Sequence, residues 1–253
     1  GALGTDTGGS IRSPAAYCGI VGLKPTYGLA SIRGIIPYGL TTDCVGPMGR
    51  TVGDVAIMLQ VLAGYDPRDI ASIRTEVPRY TSALTRTVSA LRLGIPRGLY
   101  EDTDPQVLAS AEEALDILST MTASTQEVEL PTFLAQRPTL VESYAYHAEY
   151  LEDRRDLYQP LTLERLLRGA DIPAADYAEA RYELSLLRKE IANVFELAPG
   201  EDLDQYGPFD ISCAAAADDQ GTITHWTSQN EDGSFESYLD AEKAHEMLRW
   251  LRE

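Results

Sequence analysis

The spacing of apolar positions divides the chain into three stretches. Over residues 1–50 no period is sustained. Gly, Pro and Thr interrupt short apolar runs such as Gly19-Ile20-Val21-Gly22 and Gly34-Ile35-Ile36. That pattern predicts tight loops and short strands, including one over Gly34–Pro37, with a turn of helix after Pro14. A helical period sets in at Thr51, where Val55, Met58, Leu59 and Leu62 share one face. Thr51 with Asp54 three residues on has the form of a capping box, and Gly64 closes the helix. Residues 91–96 read as a strand. Asp104-Pro105 opens a helix whose apolar face is Val107, Ala111, Ala114, Leu115 and Leu118, and 126–130 reads as a second strand. A strand–helix–strand succession predicts the α/β class. From about Leu134 to Glu196 the pattern is helical, broken near Gln159-Pro160 and Gly169. Tyr144, Tyr146, Tyr150, Tyr158, Tyr177 and Tyr182 lie along it. Those rings either line a pocket or pack with their hydroxyls toward water. Beyond Pro199-Gly200 come a weak apolar patch, Phe209–Ala217, and an amphipathic helix expected from about Phe235 to Leu251.

Charge sharpens the last boundary. The chain carries a net charge of −18, and from Gly200 onward 13 Asp/Glu face only three Lys/Arg. The organisation expected is a core over 1–198 followed by an acidic, divergent tail over 199–253. So acidic a balance argues against direct contact with nucleic acid, which needs a basic face. No run reaches the roughly 18 apolar residues of a membrane span. Cys18, Cys44 and Cys213 have no metal-ligand spacing and are odd in number, which fits reduced thiols and a cytoplasmic location. His147, His225 and His245 stand alone, so neither a metal nor a cofactor is expected.

The candidate chemistry lies at the beginning. In Gly4-Thr5-Asp6-Thr7-Gly8-Gly9-Ser10 a Gly pair delivers a Ser at the end of a loop. Gly lets the backbone turn without a Cβ in the way, so consecutive N–H groups can face an atom beside the Ser hydroxyl, as an oxyanion hole requires. Ser10 is thereby a candidate nucleophile. Taken alone, the heptapeptide also fits an ordinary turn or an anion-binding nest. Asp6-Thr7-Gly8 spells the aspartic-protease triplet, but that chemistry needs a second carboxylate of the same kind and no second copy occurs. The nucleophile elbow Gly-x-Ser-x-Gly is not met, because Ile11-Arg12 follows Ser10.

The longer run through Ile11-Arg12-Ser13-Pro14-Ala15-Ala16-Tyr17-Cys18-Gly19-Ile20-Val21-Gly22-Leu23-Lys24-Pro25-Thr26-Tyr27-Gly28 closely resembles the core of the amidase signature family. The likeness continues through Gly34–Pro37, Asp43-Cys44-Val45-Gly46-Pro47-Met48, Thr51–Asp54 and Leu62–Asp69, and more weakly to about residue 196. It implies a mixed sheet flanked by helices, incomplete in this chain, and hydrolysis of a small carboxylic amide by a Ser–cis-Ser–Lys relay. Ser10 matches the nucleophile, and the N–H groups of Thr7, Gly8, Gly9 and Ser10 match the oxyanion donors. Asp6 and Arg12 match residues that support the loop. Tyr38, Thr41 and Thr42 fall where the family binds the acyl part. The bridging Ser and the Lys precede the nucleophile in the family, yet none of the nine residues before Ser10 is Ser or Lys. Lys24 matches the Leu-Lys-Pro-Thr segment, where it is not the base. The expectation is therefore that a partner chain or a missing segment completes the active site. Within the family the alternative is the glutaminase-like A subunit of a tRNA-dependent amidotransferase. Outside catalysis it is an inactive fragment or interaction module.

Overall fold

A computed structural model describes residues 1–100, 103–131 and 136–196, together with two short strands at 227–229 and 235–237. The chain opens on β1 (Ala2–Asp6), turns into helix α1 (Arg12–Tyr17) and returns through β2 (Val21–Gly22). The strand β3 (Cys44–Gly49) lies between β1 and β2 in an antiparallel sheet, pairing Ala2 with Met48 and Asp6 with Cys44. Gly4 and Gly46 are cross-strand partners in that ladder. A Cβ on Gly4 would stand 3.1 Å from Ile11 Cγ1, and one on Gly46 would stand 3.0 Å from Ile11 Cδ1. The two glycines thus form a floor into which fully buried Ile11 settles, and this sets α1 close upon the sheet.

One expectation for this stretch fails. Gly34–Pro37 is no strand: Gly34 has φ +87°, Ile35 N–H closes a turn on Ile32 C=O, and among the described residues no strand pairs with it. Conversely, Cys44–Gly49 is a strand despite its Gly and Pro, because both of its sides are occupied by β1 and β2.

Helix α2 (Val52–Leu62) begins as its sequence predicts. Asp54 N–H donates to Thr51 Oγ1 at 3.1 Å, and Thr51 N–H donates to Asp54 Oδ2 at 3.0 Å. Val55 and Leu59 are buried on its inner face. Ala56 and Leu59 join Tyr80 of the short helix α3 (Tyr80–Ala83) in an apolar cluster. The next unit is β4 (Arg92–Ile95), α4 (Pro105–Met121) and β5 (Ser124–Glu127), a parallel pair joined by its helix. β5 lies two to three residues ahead of the apolar stretch expected at 126–130. Pairing with β4, which ends at Ile95, decides its limits; Val128 follows and only donates its N–H to Ile95 C=O. No residue of α4 is buried, and every residue of β5 is exposed.

Helices α5 (Gln136–Asp153), α6 (Pro160–Arg168) and α7 (Ala174–Glu196) form the third part, with breaks at Pro160 and Gly169 as the sequence predicts. α5 packs on both α6 and α7. Leu151, Leu166, Ala180 and Leu184 are buried among them. Strands β6 (Thr227–Gln229) and β7 (Phe235–Ser237) pair antiparallel, so Phe235 opens a strand and not the expected helix. The Asp232-Gly233 pair between them is a hairpin signal that outweighs the helical spacing. The remainder of that expected helix and the Phe209–Ala217 patch lie outside the described residues. Among the described residues no helix is long and apolar enough to cross a membrane.

Candidate active site

The Thr7–Ser10 loop leaves the end of β1 and enters α1, and two buried carboxylates hold it. Asp6, fully buried, is the last residue of β1. Its Oδ1 accepts the N–H of Gly9 at 2.7 Å and Arg12 Nη2 at 3.1 Å. Its Oδ2 accepts the N–H groups of Ile11 and Arg12 at 3.2 and 3.4 Å and Arg12 Nε at 3.0 Å. The carboxylate therefore caps the start of α1 while pairing bidentately with a guanidinium. Burial alone would raise the Asp6 pKa, but Arg12 and the N–H groups of Gly9 and Ile11 outweigh it and leave it lowered.

Asp43 is the second carboxylate. It immediately precedes β3, and Cys44 beside it is the ladder partner of Asp6, so both carboxylates lie at one end of the β1–β3 pair. Thr7 Oγ1 donates to Asp43 Oδ1. Asp43 Oδ2 accepts the N–H groups of Tyr38 and Gly39 at 2.8 and 3.1 Å. Gly9 adopts φ +128°, which brings its carbonyl under α1 to accept Ser13 N–H at 2.7 Å. Ser10 and Gly8 are exposed, and among the described residues nothing lies within 4 Å of a Cβ built on Gly8. The loop is thus tied from beneath and from one side, with open space above it.

Of the expected oxyanion donors, Gly9 N–H is directed to Asp6, and Thr7, Gly8 and Ser10 share the loop with it. Of the three expected acyl contacts, Tyr38 is exposed. Thr41 is buried, and its N–H and its hydroxyl both donate to Glu142 Oε2 at 3.0 Å. The Thr42 hydroxyl donates to Gly39 C=O at 3.4 Å. Glu142 Oε1 in turn accepts Tyr177 OH at 3.0 Å and Arg181 Nη1 at 3.1 Å, while Arg188 Nη2 donates to Thr41 C=O at 2.7 Å. Residues of α5 and α7 therefore strap the 38–43 turn. A cavity of about 240 Å³ opens beside that turn, against Pro37, Leu40, Asp43, Ile70 and Tyr146; Ser10 is not among its walls. Lys24 donates to Pro25 C=O at 3.2 Å and lies 4.0 Å from Cys44 Sγ. Among the described residues no cluster of His, Cys, Asp and Glu is placed to hold a metal.

Sequence reasoning assigned no part to Asp43, Glu142, Arg181 or Arg188. Asp43 opens the Asp43–Met48 stretch that resembles the family, a signal that a role was available. Glu142 meets Thr41 across 101 residues, and no local pattern signals that pairing.

The sheet, its covering helices and the serine loop define an α/β scaffold that presents a hydroxyl at the head of a helix. The profile of the family described as Amidase matches residues 1–206, and the chain belongs to that family, the amidase signature family. The A subunit of the glutamyl-tRNA(Gln) amidotransferase of Clostridium botulinum strain Hall is 36% identical over 220 residues, covering 77% of this chain and 45% of its own. Its counterpart in Geotalea daltonii is 52% identical over 130 residues, covering 51% of this chain and 27% of its own. The chain thus spans less than half the length of these curated relatives. Among solved structures, an inhibitor-bound vestigial protein complex bearing on the origins of an s-triazine catabolic enzyme superposes with a TM-score of 0.68. It is 28% identical and covers 77% of this chain and 43% of its own. The same amidotransferase component from Thermotoga maritima gives a TM-score of 0.62 at 28% identity, over 78% and 44%. These likenesses agree with the mixed sheet and flanking helices that the resemblance implies.

Proposed function

We propose that this chain carries the nucleophile of an amidase. Ser10 Oγ bonds to the carbonyl carbon of an amide, and the resulting oxyanion is received by backbone N–H groups of the Thr7–Ser10 loop. Collapse breaks the C–N bond. The amine leaves with the proton given up by Ser10, and water later hydrolyses the acyl-enzyme. With Gly9 N–H held by Asp6, Thr7, Gly8 and Ser10 are the donors left to face the substrate. Loss of one such donor costs on the order of 3 kcal/mol of transition-state stabilisation. Proton transfer falls to the family's bridging Ser and Lys, supplied by a partner chain or by a segment outside these 253 residues. Asp6 and Arg12 keep the loop in shape, and Tyr38 is the acyl contact open to solvent. The observation that carries this reading is an exposed Ser10 on a loop fixed between two buried carboxylates.

The test is labelling of the intact protein with a fluorophosphonate probe, read by intact mass beside Ser10→Ala. Label on the parent and none on the variant is the expected result. A folded parent that takes no label in its full assembly would leave the loop as a structural or interaction element.

A second reading is favoured by the names of the curated relatives, which are A subunits of glutamyl-tRNA(Gln) amidotransferases. On it, the amide is that of glutamine and the ammonia passes to a partner protein. Glutamine hydrolysis stimulated by such a partner supports it; an amide panel that excludes glutamine refutes it.

A further inference from the structure

We propose that Asp43 is a positioning residue for the serine loop, acting through the hydroxyl of Thr7. The proposal rests on the reading of Ser10 as the nucleophile. The β1–β3 ladder ends at the pair Asp6 and Cys44, so Thr7 is the first loop residue without a strand partner. Its hydroxyl donates to Asp43 Oδ1, and this bond takes over where the ladder stops. Asp43 is itself held by its surroundings. It is buried, its own N–H donates to Gly39 C=O at 2.8 Å, and its other oxygen accepts the N–H groups of Tyr38 and Gly39. The turn that supplies those donors is tied in its middle, through Thr41, to Glu142 on α5.

Geometry therefore passes from the helices through Glu142 and Thr41 to Asp43, and from Asp43 to Thr7. Asp6 performs the complementary task, since it holds Gly9, Ile11 and Arg12 at the far end of the same loop. Without Asp43 the loop is fixed at one end only, and the N–H groups between Thr7 and Ser10 lose their common aim. A donor misplaced by about 1 Å costs on the order of 100-fold in rate.

The chemistry of the side chains makes this testable. Thr7→Val keeps the shape and removes the donor. Asp43→Ala removes the acceptor for Thr7 and for the two N–H groups. Asp43→Asn keeps an oxygen for the Tyr38 and Gly39 N–H groups, and its NH₂ can donate to Thr7 Oγ1, whose own proton turns away. The full protein that bears this chain, with its natural partner, is labelled with the fluorophosphonate probe, and the amide substrate it turns over is assayed for kcat and KM. Thr7→Val and Asp43→Ala are each expected to slow labelling about 100-fold and to lower kcat with KM little changed. The double variant is expected to be no slower than either single one, and Asp43→Asn to stay within a few-fold of the parent. Thr7→Val labelling at the parent rate would overturn the proposal, as would Asp43→Asn and Asp43→Ala being equally slow.

Should the parent itself take no label, the catalytic reading fails and amide hydrogen exchange over residues 7–10 decides the positioning claim. Exchange there faster by about five- to tenfold in Thr7→Val, the worth of one net hydrogen bond, upholds it. Unchanged exchange overturns it.

Discussion

Asp6→Ala should be among the most damaging single substitutions in the sheet region, and its cost follows from the contacts. The change strands the buried Gly9 and Ile11 N–H groups beneath the loop. Each buried donor left unpaired costs about 1–3 kcal/mol. Arg12 loses its bidentate partner, but its side chain is 24% exposed and can turn toward water, so its share is nearer 1 kcal/mol. The expected loss is about 4 kcal/mol, within the range for breaking a buried ion pair by removing one partner. Against a typical total of about 5–15 kcal/mol this is a large fraction. Urea titrations of the intact protein at pH 7 measure it as a lowered midpoint.

The pH dependence supplies an internal control. The Asp6 carboxyl is held below the usual carboxylate range, so the folded state keeps it ionised in acid where the unfolded chain binds a proton. Its contribution is therefore whole above about pH 4 and fades as pH falls through the lowered folded value. The stability gap between parent and variant should narrow in that acid window. A gap under about 1 kcal/mol at pH 7, or one that stays constant into acid, refutes the assignment of the carboxylate as the loop's anchor.

Further outcomes concern the scaffold. Glu142→Ala leaves Arg181 and the Thr41 donors without their shared acceptor and should cost about 3 kcal/mol; faster hydrogen exchange over residues 38–43 is the direct readout. Thr51→Ala removes the N-cap of α2 and should cost about 1 kcal/mol, seen as a lower urea midpoint with an unchanged slope.

What could be read in the sequence was what depends on near neighbours. The start of α2 rests on two side chains three residues apart, and the breaks around α6 rest on a Pro and a Gly. The Asp6–Arg12 ion pair joins two residues that the family's motif singles out. The parts misread or passed over depend on partners far along the chain. Cys44–Gly49 has weak strand propensity and becomes a strand because β1 and β2 flank it. Gly34–Pro37 has the composition for a strand and, among the described residues, no ladder to join. Asp43 carries only its place in a motif and Glu142 no signal at all, and their importance comes from meeting Thr7 and Thr41 across 36 and 101 residues.

The same long spacing governs the order of assembly during synthesis. The loop bearing Ser10 leaves the ribosome before the helices that strap its neighbouring turn, and the Arg188 contact to Thr41 closes a separation of 147 residues. At about 5–20 residues per second, that interval lasts roughly 7–30 s. Throughout it the nascent chain holds its serine loop on a turn whose straps are still being made. Chaperone demand should accordingly concentrate on the interval before α7 emerges, and slowing translation there should lower the yield of soluble protein more than slowing it later.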